Sequence, residues 1–131
     1  MIRVVADTHA LVWALANDPR LSPAARTALA PGGNDTVGVS SISFAEVLYL
    51  EEKSRVPRGT LARLQAILGS PDWALEEVPF SLAIVGAMVR VTRDQVPDLP
   101  DRIIAATALH LGVPLITRDG RISVSGIDTI W

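Results

Sequence analysis

Four acidic residues stand where the chain changes direction. Asp7 closes the apolar run at residues 2–6, Glu46 lies near the start of an apolar stretch, Asp101 follows Pro100, and Asp119 follows the run at residues 115–117. Such positions are strand ends and helix starts, and in an α/β domain several of them open onto one crevice at the carboxyl edge of the sheet. Two carboxylates about 4 Å apart repel by roughly 4 kcal/mol at an effective dielectric near 20, so acids gathered there hold protons with raised pKa or bind cations. The chain has no cysteine and 2 histidines, so a metal would be held mainly by oxygen, which fits Mg²⁺ or Mn²⁺. A carboxylate-held Mg²⁺ lowers the pKa of bound water and neutralises charge on a phosphate, which makes phosphodiester hydrolysis the natural reaction class.

Each acid also has a structural reading. Asp7 can cap a helix, Ser43 and Glu46 have capping-box spacing, Asp98 and Asp101 repeat that spacing, and Asp119-Gly120 is a turn signal. Capping does not require the four to converge, whereas an α/β topology brings such junctions together. His9, two positions beyond Asp7 on a starting helix, points away from it and reads as a packing or hydrogen-bonding residue. Arg102, Arg118 and Arg121 neighbour the acids and could contact phosphates, with Arg93 reaching in from the loop at 92–99. Lys53, Arg55, Arg58 and Arg63 form a basic group around a helix connection, the usual sign of a solvated face. There is no P-loop, and the glycine pair Gly32-Gly33 lacks the pattern of a dinucleotide site.

The elements that must position these residues alternate between β-branched runs and helical periodicity. Strands are expected at residues 2–6, 36–39, 73–78, 114–117 and 127–131. Helices are expected at 8–16, at 22–30 with Ser22 as cap and Pro23 at its first position, and at 42–53, 60–69, 81–91 and 100–111. The helix at 42–53 is apolar on nearly every side, which calls for cover by sheet, neighbours or a partner. The pattern is that of a single α/β domain over residues 1–131 with a mostly parallel sheet. The net charge of -2 gives no global basic field, so a nucleic acid would be held by local arginines and bound cations. No stretch is long and apolar enough for a membrane span and the N-terminus reads as a core strand, so the expectation is a soluble, intracellular protein.

Four segments carry a family resemblance. They are Val4-Val5-Ala6-Asp7-Thr8-His9 with Trp13; Val39-Ser40-Ser41-Ile42-Ser43-Phe44-Ala45-Glu46; Asp98-Leu99-Pro100-Asp101-Arg102-Ile103-Ile104-Ala105-Ala106-Thr107; and Leu115-Ile116-Thr117-Arg118-Asp119. In this order and spacing the chain resembles the PIN-domain ribonucleases, particularly the VapC-type toxins of bacterial toxin-antitoxin pairs. The resemblance implies four or five parallel strands flanked by helices and a Mg²⁺-dependent endoribonuclease. It implies Asp7 and Asp101 as principal metal ligands, with Glu46 and Asp119 completing the shell. Thr8 and Thr117 would be supporting hydroxyls; Arg102 and Arg118 are substrate-binding candidates from their place beside the acids alone, and a solvated or salt-bridged role is equally open to them. It further implies an RNA substrate, a cognate antitoxin, a homodimer and a cytoplasmic location. An antitoxin helix could lie in a groove offered by the helices at 42–53 and 60–69. The alternative is a catalytically silent α/β module that keeps the acidic pocket for binding a metal or a partner.

Overall fold

The computed structural model describes residues 1–123 and 126–131. Five strands, β1 (Ile2–Ala6), β2 (Thr36–Ser40), β3 (Leu75–Val78), β4 (Leu115–Ile116) and β5 (Thr129–Ile130), form one parallel sheet in the order β3-β2-β1-β4-β5. The helices are α1 (Thr8–Leu15), α2 (Pro23–Leu29), α3 (Ser41–Glu52), α4 (Thr60–Ile67), α5 (Leu82–Met88), α6 (Leu99–Leu111) and the single turn α7 (Gly120–Ser123). The chain builds outward from β1 through β2 to β3, then returns to the opposite side of β1 for β4 and β5. The strand order therefore reverses between β1 and β4, where crevices form in open α/β sheets.

Alternation along β1 explains why the sheet is buried on both faces. Val4 and Ala6 belong to a core with Leu11, Val47 and Leu64, whereas Val5 points into a core with Ile84, Ile103 and Ile104. Helices α1, α2, α3 and α4 supply the first core, and α5 and α6 the second. The edge strand β3 carries Glu76 and Glu77 on exposed positions, charges that discourage pairing with a further strand. Helix starts follow the local chemistry. The Ser22 hydroxyl accepts from the Ala25 N–H at 3.0 Å with Pro23 opening α2, and Gly112 at φ 67 closes α6 in the left-handed conformation that glycine adopts without a steric penalty.

Several expected elements are shorter in the folded chain. β3 begins at Leu75 because Trp73 and Ala74 are held in a turn by hydrogen bonds to the Ser70 carbonyl, and Ala74 takes φ 53. α5 ends at Met88, and β4 and β5 are two residues each. α3 is not covered on all sides: Leu48 and Tyr49 are 45% and 54% exposed on its outer face. Among the described residues no helix is long and apolar enough to cross a membrane.

Ile104 lies three residues beyond Asp101 on the sheet-facing side of α6 and is 1% exposed. Ile104→Ala is expected to cost about 2–5 kcal/mol by leaving a cavity under this helix. Urea unfolding of the full chain measures it, and a loss below about 1 kcal/mol would mean that α6 is not seated as described.

Candidate active site

Asp7 follows β1 directly. Its backbone N–H donates to the Ile116 carbonyl of β4 at 3.0 Å, which fixes it at the point where strand order reverses. Its side chain caps α1, Oδ1 accepting from the Ala10 N–H at 2.8 Å, so the capping reading holds for one of its two oxygens. The buried Thr117 hydroxyl also bonds to Asp7 and accepts from the Asp119 N–H at 3.1 Å, joining the ends of β1 and β4. Burial pushes the Asp7 carboxyl above the usual range. The bonds from Thr117 and Ala10 and the charge of His9 oppose that shift, and the charge of Asp119 adds to it.

Glu46 is not in a capping box. The cap of α3 is Ser40, whose hydroxyl accepts from the Ile42 N–H at 3.3 Å, so Ser43 and Glu46 are the third and sixth residues of the helix. This register turns Glu46 toward α1. Thr8 Oγ1 lies 2.5 Å from Glu46 Oε1 and 3.0 Å from Ser43 Oγ. A hydroxyl has one proton to give, so Thr8 donates to the carboxylate and Ser43 completes a buried relay behind it. Burial raises the Glu46 pKa, the Thr8 bond opposes this, and the charge of Asp98 raises it further.

Asp101 is the third residue of α6. Asp98 caps that helix, accepting from the Asp101 N–H at 3.2 Å, which leaves the Asp101 carboxylate free of capping duty. Burial, followed by the charges of Asp98, Glu46, Asp119 and Asp7, pushes the Asp101 pKa up to about 7. The charges that raise it are all acids. Asp98 is thus a fifth carboxylate at the crevice, acting on both Glu46 and Asp101. Its three-residue spacing from Asp101 at a helix start was the signal for it, and that spacing reads equally well as a cap.

Asp119 differs. Oδ1 accepts from the Arg121 N–H at 3.0 Å and Nε at 3.1 Å, and Oδ2 from Nη2 at 3.0 Å. These bonds hold its carboxyl below the usual range. Arg102 does not face the crevice. Its Nε donates to the Val91 carbonyl at 2.6 Å and Nη2 to the Met88 carbonyl at 3.0 Å, because one step along a helix rotates the side chain by about 100° away from Asp101 and toward the end of α5. Arg118 lines the crevice with its guanidinium 5.8 Å from the centroid of Trp13. His9 rests against the same indole, ring centroids 5.7 Å apart, but it does not point away from Asp7 as its position two residues on suggested: it lines the same cleft and its charge acts on that carboxyl.

Asp7, Asp101, Thr117, Arg118 and Asp119 share one cleft of about 350 Å³ with His9 and Trp13. Glu46 reaches these acids through charge and through Thr8. The donor chemistry fits a hard divalent cation: all oxygen, with excess negative charge on Asp7 and Asp101. Among the described residues no three such groups are yet arranged to hold an ion, with Asp119 turned onto Arg121 and Glu46 onto Thr8.

The raised carboxyls carry a pH dependence of definite sign. Below the unfolded pKa near 4 both states are protonated. Between there and about pH 7 the folded Asp101 keeps a proton that the unfolded chain has released, so stability falls as pH rises through that window. In the absence of divalent metal the chain is expected to melt lower at pH 8 than at pH 5. Asp101→Asn is expected to flatten that dependence and to melt higher than wild type at pH 8. A lower melting point for the variant at both pH values would refute the repulsion.

Residues 4–126 match the PIN domain. The chain is 30% identical over 124 residues to Ribonuclease VapC22 of Mycobacterium tuberculosis, covering 93% of this chain and 91% of that protein. Its fold is similar to VapBC2 from Rickettsia felis bound to a DNA fragment from their promoter, with a TM-score of 0.70 and 23% identity over 98% of this chain and 97% of that one. It is also similar to a toxin-antitoxin complex from Klebsiella pneumoniae, with a TM-score of 0.60 and 25% identity over 88% and 86% of the two chains. The acids at the β1–β4 reversal are therefore set in a known frame, and the chain belongs to the PIN-domain family, among its VapC-type members.

Proposed function

We propose that this chain is a divalent-metal-dependent endoribonuclease and the toxin of a toxin-antitoxin pair. The observation that carries the reading is the pair Asp7 and Asp101, which line a single cleft with both carboxyls pushed upward in pKa. A relative named ribonuclease at 30% identity supports RNA as the substrate, and the toxin-antitoxin complexes of the same fold support a protein partner.

Asp7 and Asp101 would hold Mg²⁺ or Mn²⁺, with Asp119 joining when Arg121 lets go of it. The bound ion supplies a water of lowered pKa and neutralises charge that grows on the scissile phosphate. Thr117 fixes the direction of Asp7, and Thr8 fixes that of Glu46, whose raised basicity suits it to take a proton from the attacking water. Arg118 lies on the cleft wall within reach of a substrate phosphate. In the same reading the protein acts on RNA in the cytoplasm. It pairs as a homodimer through apolar residues left open at α5, Leu82 and Val85 of the helix and Val89 at its C-cap, at 84%, 43% and 75% exposure.

Asp7→Asn and Asp101→Asn are each expected to reduce cleavage of single-stranded RNA at least ~10²-fold with circular dichroism unchanged, since Asn preserves the Asp7 cap. Retention of most activity by either variant would refute the reading. Arg121→Gln is expected to tighten Mn²⁺ binding in calorimetry by up to about fivefold, the factor that corresponds to an exposed ion pair. Weaker binding would mean that Arg121 helps to assemble the site and does not compete for it.

A further inference from the structure

The acidic cleft does not end at Trp13. A second cleft of about 280 Å³ shares His9 and Trp13 with it and is bounded by Arg20, Arg55 and Pro57. A third, of about 260 Å³, shares Val12, Ala16 and Pro57 with the second and adds Arg58 and Arg63. Together they make one furrow that leaves the carboxylates, crosses α1 and follows the connection between α3 and α4.

Beyond Trp13 the charge of the furrow changes sign. The Arg20 guanidinium lies 4.7 Å from the Trp13 centroid, on the ring that also carries Arg118. Asp18, the one acid lining the second cleft, is already paired with Arg20 at 2.8 Å. Arg55 and Arg58 are exposed and, among the described residues, have no side-chain hydrogen bond or ion pair. Free guanidinium groups on the wall of a cleft that adjoins a phosphodiester site are suited to phosphate oxygens. Trp13, 8% exposed, is too deep to stack on a base and serves instead as the platform under two arginines. His9 is exposed at the junction of the first two clefts, where its imidazole can meet an unstacked base.

We propose that this furrow is a track for single-stranded RNA. A strand with its scissile phosphate at the carboxylates continues past His9 into the arginine-lined clefts, where Arg55 and Arg58 take its flanking phosphates. The proposal rests on the ribonuclease reading above. An acidic protein segment would also find cations here, but only a polyphosphate strand must enter the acidic cleft and leave it in the same stretch.

The test uses the full chain carrying Asp7→Asn, so that RNA is bound and not cut, with and without Arg55→Gln and Arg58→Gln. Affinity for RNAs of about 12 and about 3 nucleotides, long enough and too short to span the furrow, is measured across salt concentrations. Each phosphate contact removed is expected to flatten the slope of log K against log salt by about 0.7. It should also weaken binding of the longer RNA about fivefold at 0.1 M salt relative to 1 M, and so shrink its advantage over the shorter one. Unchanged slope and affinity in the arginine variants would overturn the track. It would also be overturned if those variants kept RNA affinity and lost only the binding of an acidic helical peptide. No RNA binding by the Asp7→Asn parent together with no RNA cleavage by wild type would instead overturn the ribonuclease reading itself.

Discussion

Strand β1 pairs with β2 along one edge and with β4 along the other, and the two halves of the sheet meet only through it. Its last residues, Val4, Val5 and Ala6, are buried, feeding both cores in alternation. The hydrogen bond from the Asp7 N–H to the Ile116 carbonyl ends that pairing and starts α1 in the same residue. The other parts of the site take their positions from this junction. Thr117 and Asp119 arrive through β4, Glu46 through the Thr8 contact to α3, and Asp101 through α6 packed on the opposite face.

The cores on both faces hold together a set of charges that would separate if free. Asp7, Glu46 and Asp101 are each raised in pKa first by burial and then by neighbouring carboxylates, Asp119 for Asp7 and chiefly Asp98 for Glu46 and Asp101. Protein interiors resist deformation, so packed cores can keep such groups close at a cost in stability that a cation would offset. The exception explains itself locally: Asp119 sits at the exposed end of β4 and meets Arg121 two residues on, so its charge is already balanced.

The arginines divide into two kinds that a residue count cannot separate. Arg3, Arg63 and Arg102 donate to backbone carbonyls of Ala28 and Ala30, of Leu15, and of Met88 and Val91, tying off segments that end without a strand or helix partner. Arg20 and Arg118 lie on Trp13, while Arg55 and Arg58 project from the α3–α4 connection. The basic group around residues 53–63 is accordingly not one face: Lys53 sits over Tyr49, Arg63 is bonded to α1, and Arg55 and Arg58 are left on the furrow.

Local pattern was enough to read the alternation of strands and helices, the caps at Asp7 and Ser22, and the acids at junctions, because periodicity and capping act within a few residues. It left Glu46 with two readings, a site acid and a capping-box partner of Ser43, and only the parallel pairing of β2 through Ser40 makes Ser40 the cap and turns Glu46 to Thr8. It could not separate Arg102 from Arg118, because each follows or precedes an acid in sequence and only the packing of α6 against α5 decides which one faces the crevice. Nor could it show that Asp98 acts on Glu46, 52 positions away in the numbering, or that Arg55 lies on a cleft that shares His9 and Trp13 with the one holding Asp7. Residue type and spacing determined the available chemistry. Which charges share a cavity was decided by the reversal of strand order at β1, since electrostatic coupling depends on distance through space and not along the chain.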